Sequence, residues 1–169
     1  MEPMTPDQKT EIIREEKFEI VIVGKRDRDL HELIGRLDEE LLERYPADEI
    51  FGLDFDSPKA DETTFAVAYL GSRPVACGAF RPLEEPYAEI KRFFVERDSR
   101  KLGIASRMLA YLERKAAEAG HAVMRLETGE AQPEAVGLYS KFDYEVIPAY
   151  GEYAGCESSL CMEKKLNNR

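Results

Sequence analysis

Residues 93–105 read Phe93-Phe94-Val95-Glu96-Arg97-Asp98-Ser99-Arg100-Lys101-Leu102-Gly103-Ile104-Ala105. An apolar strand end runs into a short polar loop, and a small-residue turn then opens a helix. The first-turn amides of a helix have no intrahelical acceptor and lie at the positive end of its dipole. Such a turn therefore offers N–H groups to a phosphate. Arg100 and Lys101 stand beside it to add full charge, and Gly103 and Ala105 leave the main chain uncovered. Most strand-to-helix turns bind only water, so the turn needs its context. No Gly-Lys-Ser/Thr follows, which excludes a Walker loop, and one glycine is too few for the dinucleotide fingerprint.

Working outward, Gly103–Ala119 has Ile104, Met108, Leu109, Leu112 and Ala116 on one helical face, and Gly120 stops it. Ala122–Glu127 reads as a strand. Pro133 opens a helix through Lys141, and Tyr144–Ile147 and Ser158–Lys164 read as closing strands. Upstream, Tyr87–Val95 is a strand, preceded by Thr63–Leu70 and Val75–Phe80, which Gly71-Ser72-Arg73-Pro74 joins as a hairpin. Phe18–Val23 is a first strand. Asp27 or Asp29 caps a helix carrying Leu30, Leu33, Ile34, Leu37, Leu41 and Leu42, and Pro46 lies past its end. Residues 46–62 read as an irregular loop or short helix. Residues 1–17 are charged and poorly periodic, an arm or short helix ahead of a domain over residues 18–166. The order predicts an α/β (α+β mixed) fold: a mixed central sheet of about six to seven strands with helices on both faces. Tyr87–Val95 and Ala122–Glu127, linked by the helix from Gly103, form the expected parallel pair. Where they part, a crevice opens at the end that holds the phosphate turn.

A chain of 169 residues fits one domain. With 34 Asp and Glu against 24 Lys and Arg, its formal charge of −10 argues against nucleic acid and mildly favours a cationic small molecule or basic peptide. Cys77, Cys156 and Cys161 make an odd set without a CxxC pair, and with His31 and His121 they build no metal spacing. The thiols read as reduced, in a cytoplasmic protein. No apolar run approaches the ~20 residues of a membrane span. The polar N-terminus, with Glu2, Asp7 and Glu11, does not read as a signal peptide.

The run Ala88-Glu89-Ile90-Lys91-Arg92-Phe93-Phe94-Val95 followed by Arg100-Lys101-Leu102-Gly103-Ile104-Ala105 resembles motif A of the GNAT acetyltransferase superfamily, written Arg/Gln-x-x-Gly-x-Gly/Ala. Leu126-Glu127-Thr128-Gly129, Gln132-Pro133-Glu134-Ala135, Leu138-Tyr139 and Tyr144 resemble its motif B. The strand order is similar over nearly the whole chain, the arm excepted. The resemblance implies acetyl-CoA as co-substrate. Its pyrophosphate would sit on the amides of Leu102, Gly103, Ile104 and Ala105 with Arg100 and Lys101 nearby, and its pantetheine would lie like an extra strand beside Phe94 and Val95. The implied reaction is direct acetyl transfer to an amine. Two positions depart from the pattern. Asp143 replaces the glycine before the second aromatic of motif B, where a left-handed backbone is expected and Asp tolerates it at some cost. Gln132-Pro133-Glu134 replaces the asparagine near the start of the motif B helix.

An ammonium cannot attack a thioester, so a base must take its proton and an acid should reprotonate the leaving thiolate. Glu89, eleven residues before Arg100, stands where the resemblance places a strand glutamate as base. The plain alternatives are a solvated strand residue, a water chain as base, or Glu84 and Glu85 as substitutes. Tyr139 stands where the family places its acid, and a phenol with pKa near ~10 suits a thiolate near ~8.5; its plain reading is a core aromatic. Arg81, Arg92 and Arg125 could orient a substrate carboxylate, although isolated arginines are more often surface ion-pair partners. Tyr150 and Tyr153 read as core or loop, with a substrate wall or a homodimer contact as functional alternatives. Cys77 and Cys161 read as buried, inert thiols. The leading expectation is an N-acetyltransferase acting on the primary amine of a small molecule. Protein lysine or N-terminal acetylation and a non-catalytic acetyl-CoA-binding module are the alternatives.

Overall fold

The computed structural model describes Pro3, Thr5 and residues 17–166. The arm expected over residues 1–17 lies, but for Pro3, Thr5 and Lys17, outside them. The described residues form seven strands: β1 (Phe18–Val23), β2 (Thr64–Leu70), β3 (Arg73–Pro82), β4 (Tyr87–Val95), β5 (Val123–Gly129), β6 (Glu145–Ile147) and β7 (Ser159–Lys165). Four helices accompany them: α1 (Arg28–Leu42), α2 (Pro58–Asp61), α3 (Ile104–Glu118) and α4 (Pro133–Lys141). None of these helices is long and apolar enough to cross a membrane. The strands form one sheet in the order β1-β2-β3-β4-β5-β7-β6. Only β4 and β5 run parallel among neighbours.

The local signals act as their chemistry suggests. The Asp27 carboxylate accepts from the Leu30 amide at 3.0 Å and starts α1. Gly103, at φ +81°, caps α3, and Gly120 at φ +97° turns the chain out of it. Asp143 takes the left-handed backbone, φ +71°, expected at the end of the α4 turn. Several strand limits differ by a residue or two from expectation. Thr63 stays out of β2 because its hydroxyl donates to the Lys59 carbonyl at 2.8 Å, which closes the α2 turn.

Both faces of the sheet are covered. α1 packs Leu30, Leu33, Ile34 and Leu37 against Phe65, Val67, Cys77, Ala79 and Phe94. The other face meets α3 and α4 through Ile104, Met108, Leu109, Leu112 and Tyr139. α3 approaches β3 so closely that a Cβ at Gly78 would lie 2.8 Å from Leu112 Cδ1 and 3.3 Å from Phe93 Cδ2. Gly78→Val is therefore expected to cost about 1–3 kcal/mol of stability, as overpacked cores do. A urea titration reads this as a lowered midpoint, and an unchanged midpoint contradicts the close approach.

What positions the site is a fork in the sheet. β4 pairs with β5 only over Tyr87–Glu89 against Val123–Arg125. Beyond that point β4 continues along β3 to Val95, while β5 continues along β7 to Gly129. A register shift between Cys77 and Ala79, with Arg92 at φ +54°, bulges β4 at the parting. The β5-side edge of β4 from Ile90 to Val95 thus has no strand paired to it among the described residues, and α3 starts past its end.

Candidate active site

At the mouth of the fork the turn before α3 curls through two left-handed residues, Lys101 (φ +67°) and Gly103 (φ +81°). The amides of Ile104, Ala105 and Ser106 belong to the first turn of α3 and make no backbone hydrogen bond outside it among the described residues. A Cβ on Gly103 would meet no protein atom within 4 Å, so the space before these amides is open. Lys101 is exposed at the same place. The donor set suits a doubly charged phosphate chain. Arg100 is more committed than its sequence position suggests: its Nε donates to the Val95 carbonyl at 2.9 Å and its Nη2 to Glu40 Oε2 at 2.7 Å. Burial alone would push the Glu40 carboxyl up, but Arg100, Arg97 and Arg44 hold it below the ordinary value.

From this mouth a cavity of about 700 Å³ runs along the free edge of β4 into the fork. All eight residues expected to meet the cofactor are near it: Phe94, Val95, Arg100, Lys101, Gly103, Ile104 and Ala105 line it, and Leu102 lies in the turn between Lys101 and Gly103. A volume of this size falls in the range typical of small-ligand sites.

Tyr139 lines the same cavity from α4. Its ring packs edge-on to Phe93 and Tyr144, with centroids 6.2 and 5.7 Å away, so the core reading describes its ring. Its hydroxyl makes no hydrogen bond among the described residues and is not among the sealed, unpaired polar atoms. It therefore reaches the cavity surface. Burial first, and the charge of Glu127 second, push its pKa above the usual phenol value.

Glu89 is placed otherwise than the plain reading expects. It is not a solvated strand residue but fully buried, 0% exposed. Its Oε1 accepts from Arg81 Nε and Nη2, both at 2.8 Å, and its Oε2 accepts a short bond from the Tyr150 hydroxyl. It does not line the cavity. Three carboxylates do: Glu40 and Glu134, which are paired with Arg100 and Arg44, and Glu127 on β5, partly exposed into the fork. Burial, partly offset by Ser159 and Lys91, pushes its pKa up to about 7. Lys91 on β4, 5% exposed, lines the cavity opposite. Its ammonium donates to the Tyr153 hydroxyl at 2.9 Å, and burial pulls its pKa below the usual lysine value. The wall behind is closed: Tyr153, 1% exposed, packs edge-on against Phe51 and Tyr150, with ring centroids 4.9 and 5.3 Å away.

Glu127 and Lys91 stand in the two motifs quoted above, yet sequence reasoning gave neither a role. The signal was the period of two along β5. Met124 and Leu126 face the α3 core, so Glu127 must face the other side, at the carboxyl end of a parallel strand where sites form. Arg81, Arg92 and Arg125, offered as substrate readers, are each tied to a carboxylate: Glu89, Asp38 and Glu163 respectively. Cys77 and Cys161 are buried as expected, and burial pushes the Cys77 thiol up to about 12.

This geometry meets its counterpart in known proteins. The sequence pattern of the Acetyltransferase (GNAT) family matches residues 28–144, and the chain belongs to that family, whose members use acetyl-CoA as acyl donor. An IAA acetyltransferase of Azospirillum brasilense is 35% identical over 136 residues, covering 80% of this chain and 89% of the relative. A Klebsiella pneumoniae structure, provisionally assigned as an acyl-CoA N-acyltransferase, superposes with a TM-score of 0.79 at 27% identity, covering 89% of this chain and 99% of the other. A GNAT family acetyltransferase from Elizabethkingia anophelis, solved with acetyl-CoA bound, shares the fold with a TM-score of 0.66 at 15% identity over 88% of this chain and 98% of the other. The protein is thus an acetyl-CoA-dependent acetyltransferase with a seven-stranded mixed sheet.

Proposed function

We propose that the acetyl acceptor is the primary amine of a small molecule, that Glu127 takes its proton, and that Tyr139 donates to the departing sulfur. The observation that carries the reading is that these two groups line one cavity, from β5 and from α4. Acetyl-CoA supplies an activated acyl carbon and a thiolate leaving group. The amides at the start of α3, with Lys101, would bind its pyrophosphate, and the free edge of β4 at Phe94 and Val95 would hold its extended arm. Glu127 titrates near neutrality, where a base can still be ionised yet basic enough to accept a proton. It would take one proton from the acceptor ammonium, and the nitrogen could then form its bond to the acyl carbon as the carbon–sulfur bond breaks; the second proton that the nitrogen sheds would go to the thiolate, directly or by way of the Tyr139 hydroxyl bonded to it. Glu89, first expected as the base, would instead hold Arg81 and Tyr150 behind the pocket. The IAA acetyltransferase relative and the packed Phe51–Tyr153–Tyr150 wall support a small acceptor over a protein chain. Comparing turnover of a panel of small amines with that of lysine-bearing and free-N-terminal peptides tests this. Faster transfer to the peptides would overturn it.

Tyr139→Phe keeps the ring packing and deletes only the hydroxyl. Because burial raises the phenol pKa, Tyr139 is a weaker acid than an exposed tyrosine and should act mainly as a hydrogen-bond donor. A loss of kcat of about 10- to 100-fold is expected, at the low end of general-acid effects. KM for acetyl-CoA should hold, since the contact strengthens only as sulfur gains charge. Unchanged kcat under chemistry-limited conditions would return Tyr139 to packing alone.

A further inference from the structure

Lys91 has a buried ammonium with no carboxylate within hydrogen-bond distance among the described residues. Its ammonium carries three N–H donors. One goes to the Tyr153 hydroxyl at 2.9 Å and one reaches the Phe51 carbonyl at 3.4 Å. Both acceptors are neutral. Its one ion-pair contact among the described residues is Glu152 Oε1 at 3.9 Å, on a side chain that is 49% exposed. Two carboxylates on the same sheet face act on it through their charge but do not bond it. Glu89 is bonded by Arg81 and Tyr150, and neither Glu89 nor Glu127 forms an ion pair with Lys91, although Lys91 feels the charge of both. Burying an ammonium is costly unless a counter-charge meets it. Yet Lys91 is held at the cavity surface beside Phe51 and Tyr153, away from the turn before α3 where the cofactor's pyrophosphate would bind.

We propose that Lys91 reads a carboxylate on the acceptor, so that the substrates are amines that also carry a carboxylate, amino acids being the simplest. This inference rests on the small-amine transferase reading above. Glu127 and Lys91 face each other from the two strands of the fork. An amino acid presents an ammonium and a carboxylate a short distance apart, and can give the first to Glu127 and the second to Lys91. The pair completes the third donor of Lys91 with a charge-assisted bond. It also rejects the competing class: a diamine or polyamine entering with one amine toward Glu127 would bring its second positive charge toward Lys91 in a buried site. Arg81, Arg92 and Arg125 are paired with Glu89, Asp38 and Glu163, and the lining arginines Arg44 and Arg100 with Glu134 and Glu40, although Arg92 keeps its Nε unpaired. Phe51 and Tyr153, which hold the Lys91 ammonium in place, also supply apolar walls for the rest of the substrate.

The test compares free L-amino acids with their own carboxamides, which keep amine and side chain and lose only the negative charge. In the wild-type enzyme, kcat/KM for the acid should exceed that for the amide by about 30-fold or more, as expected for a desolvated charge pair. Lys91→Met should bring the ratio near one with KM for acetyl-CoA unchanged, and Lys91→Arg should keep most of it. Amides accepted as well as acids by the wild type would overturn the inference without need of any variant. So would a preference that survives in folded Lys91→Met. If acetyl-CoA binds and small amines without a carboxylate are acetylated while neither test series is, the inference fails and the transferase reading stands. If no small amine is acetylated, both fail.

Discussion

Glu127→Gln lowers kcat by about 10²- to 10⁴-fold, the range of a lost general base. The substitution is nearly isosteric, so the fork and the Phe51–Tyr153 wall should keep their shape. The pH dependence carries a sharper sign. Glu127 has its pKa raised to about 7 by burial. Below that value it is protonated and cannot accept the amine proton; above it the carboxylate is present. Wild-type kcat should therefore climb through about pH 7 and then level, and that limb should vanish in Glu127→Gln. The companion variant Glu89→Gln separates the two carboxylates. It removes the charge of the buried Glu89 from its pair with the partly exposed Arg81, so its main effect should be on melting temperature, with a smaller one on kcat. A larger kcat loss in Glu89→Gln than in Glu127→Gln, with both proteins folded, would return the base to Glu89.

Gly103→Glu weakens acetyl-CoA binding by about 100-fold or more, read by calorimetry. Three costs act together. The backbone at φ +81° is left-handed, which a side chain tolerates poorly. The Cβ and the atoms beyond it enter the open space in front of the α3 amides. A negative charge then stands where the helix dipole and Lys101 would otherwise meet a phosphate. Gly103→Ala carries the backbone cost with little of the other two and should lose far less. Equal affinity in Gly103→Glu and wild type would move the phosphate site elsewhere.

Much of the scaffold was legible because its signals are local. The cap at Asp27, the glycine at Gly120 and the proline at Pro133 each act within a turn of their own position, and the helix joining β4 to β5 implies a parallel pair. The insertion of β7 between β5 and β6 was not legible, because a β6–β7 hairpin pairs the same way whichever of its strands joins β5. The turn before α3, proposed to hold the pyrophosphate, was readable as an open helix start for the same local reason as the caps. The proposed base was harder to pick out. Glu89 and Glu127 are both strand glutamates near the parting. What separates them is that Arg81 and Tyr150, from β3 and the loop after β6, close over Glu89 and leave Glu127 facing the cavity. Arg100 shows the same limit: its guanidinium is engaged by Glu40, far away in sequence on α1. Lys91 gains its meaning only when Tyr153 and Phe51 come to it from distant loops.

Direct acetyl transfer within the fork is the central claim, and one measurement reaches it. The wild-type protein is incubated with acetyl-CoA, with and without the amine panel, and both free CoA and acetylated amine are quantified. The account predicts that the two products form in equal amounts and only when an acceptor is present. CoA released at the same rate without amine, or without matching acetylated product, would contradict it.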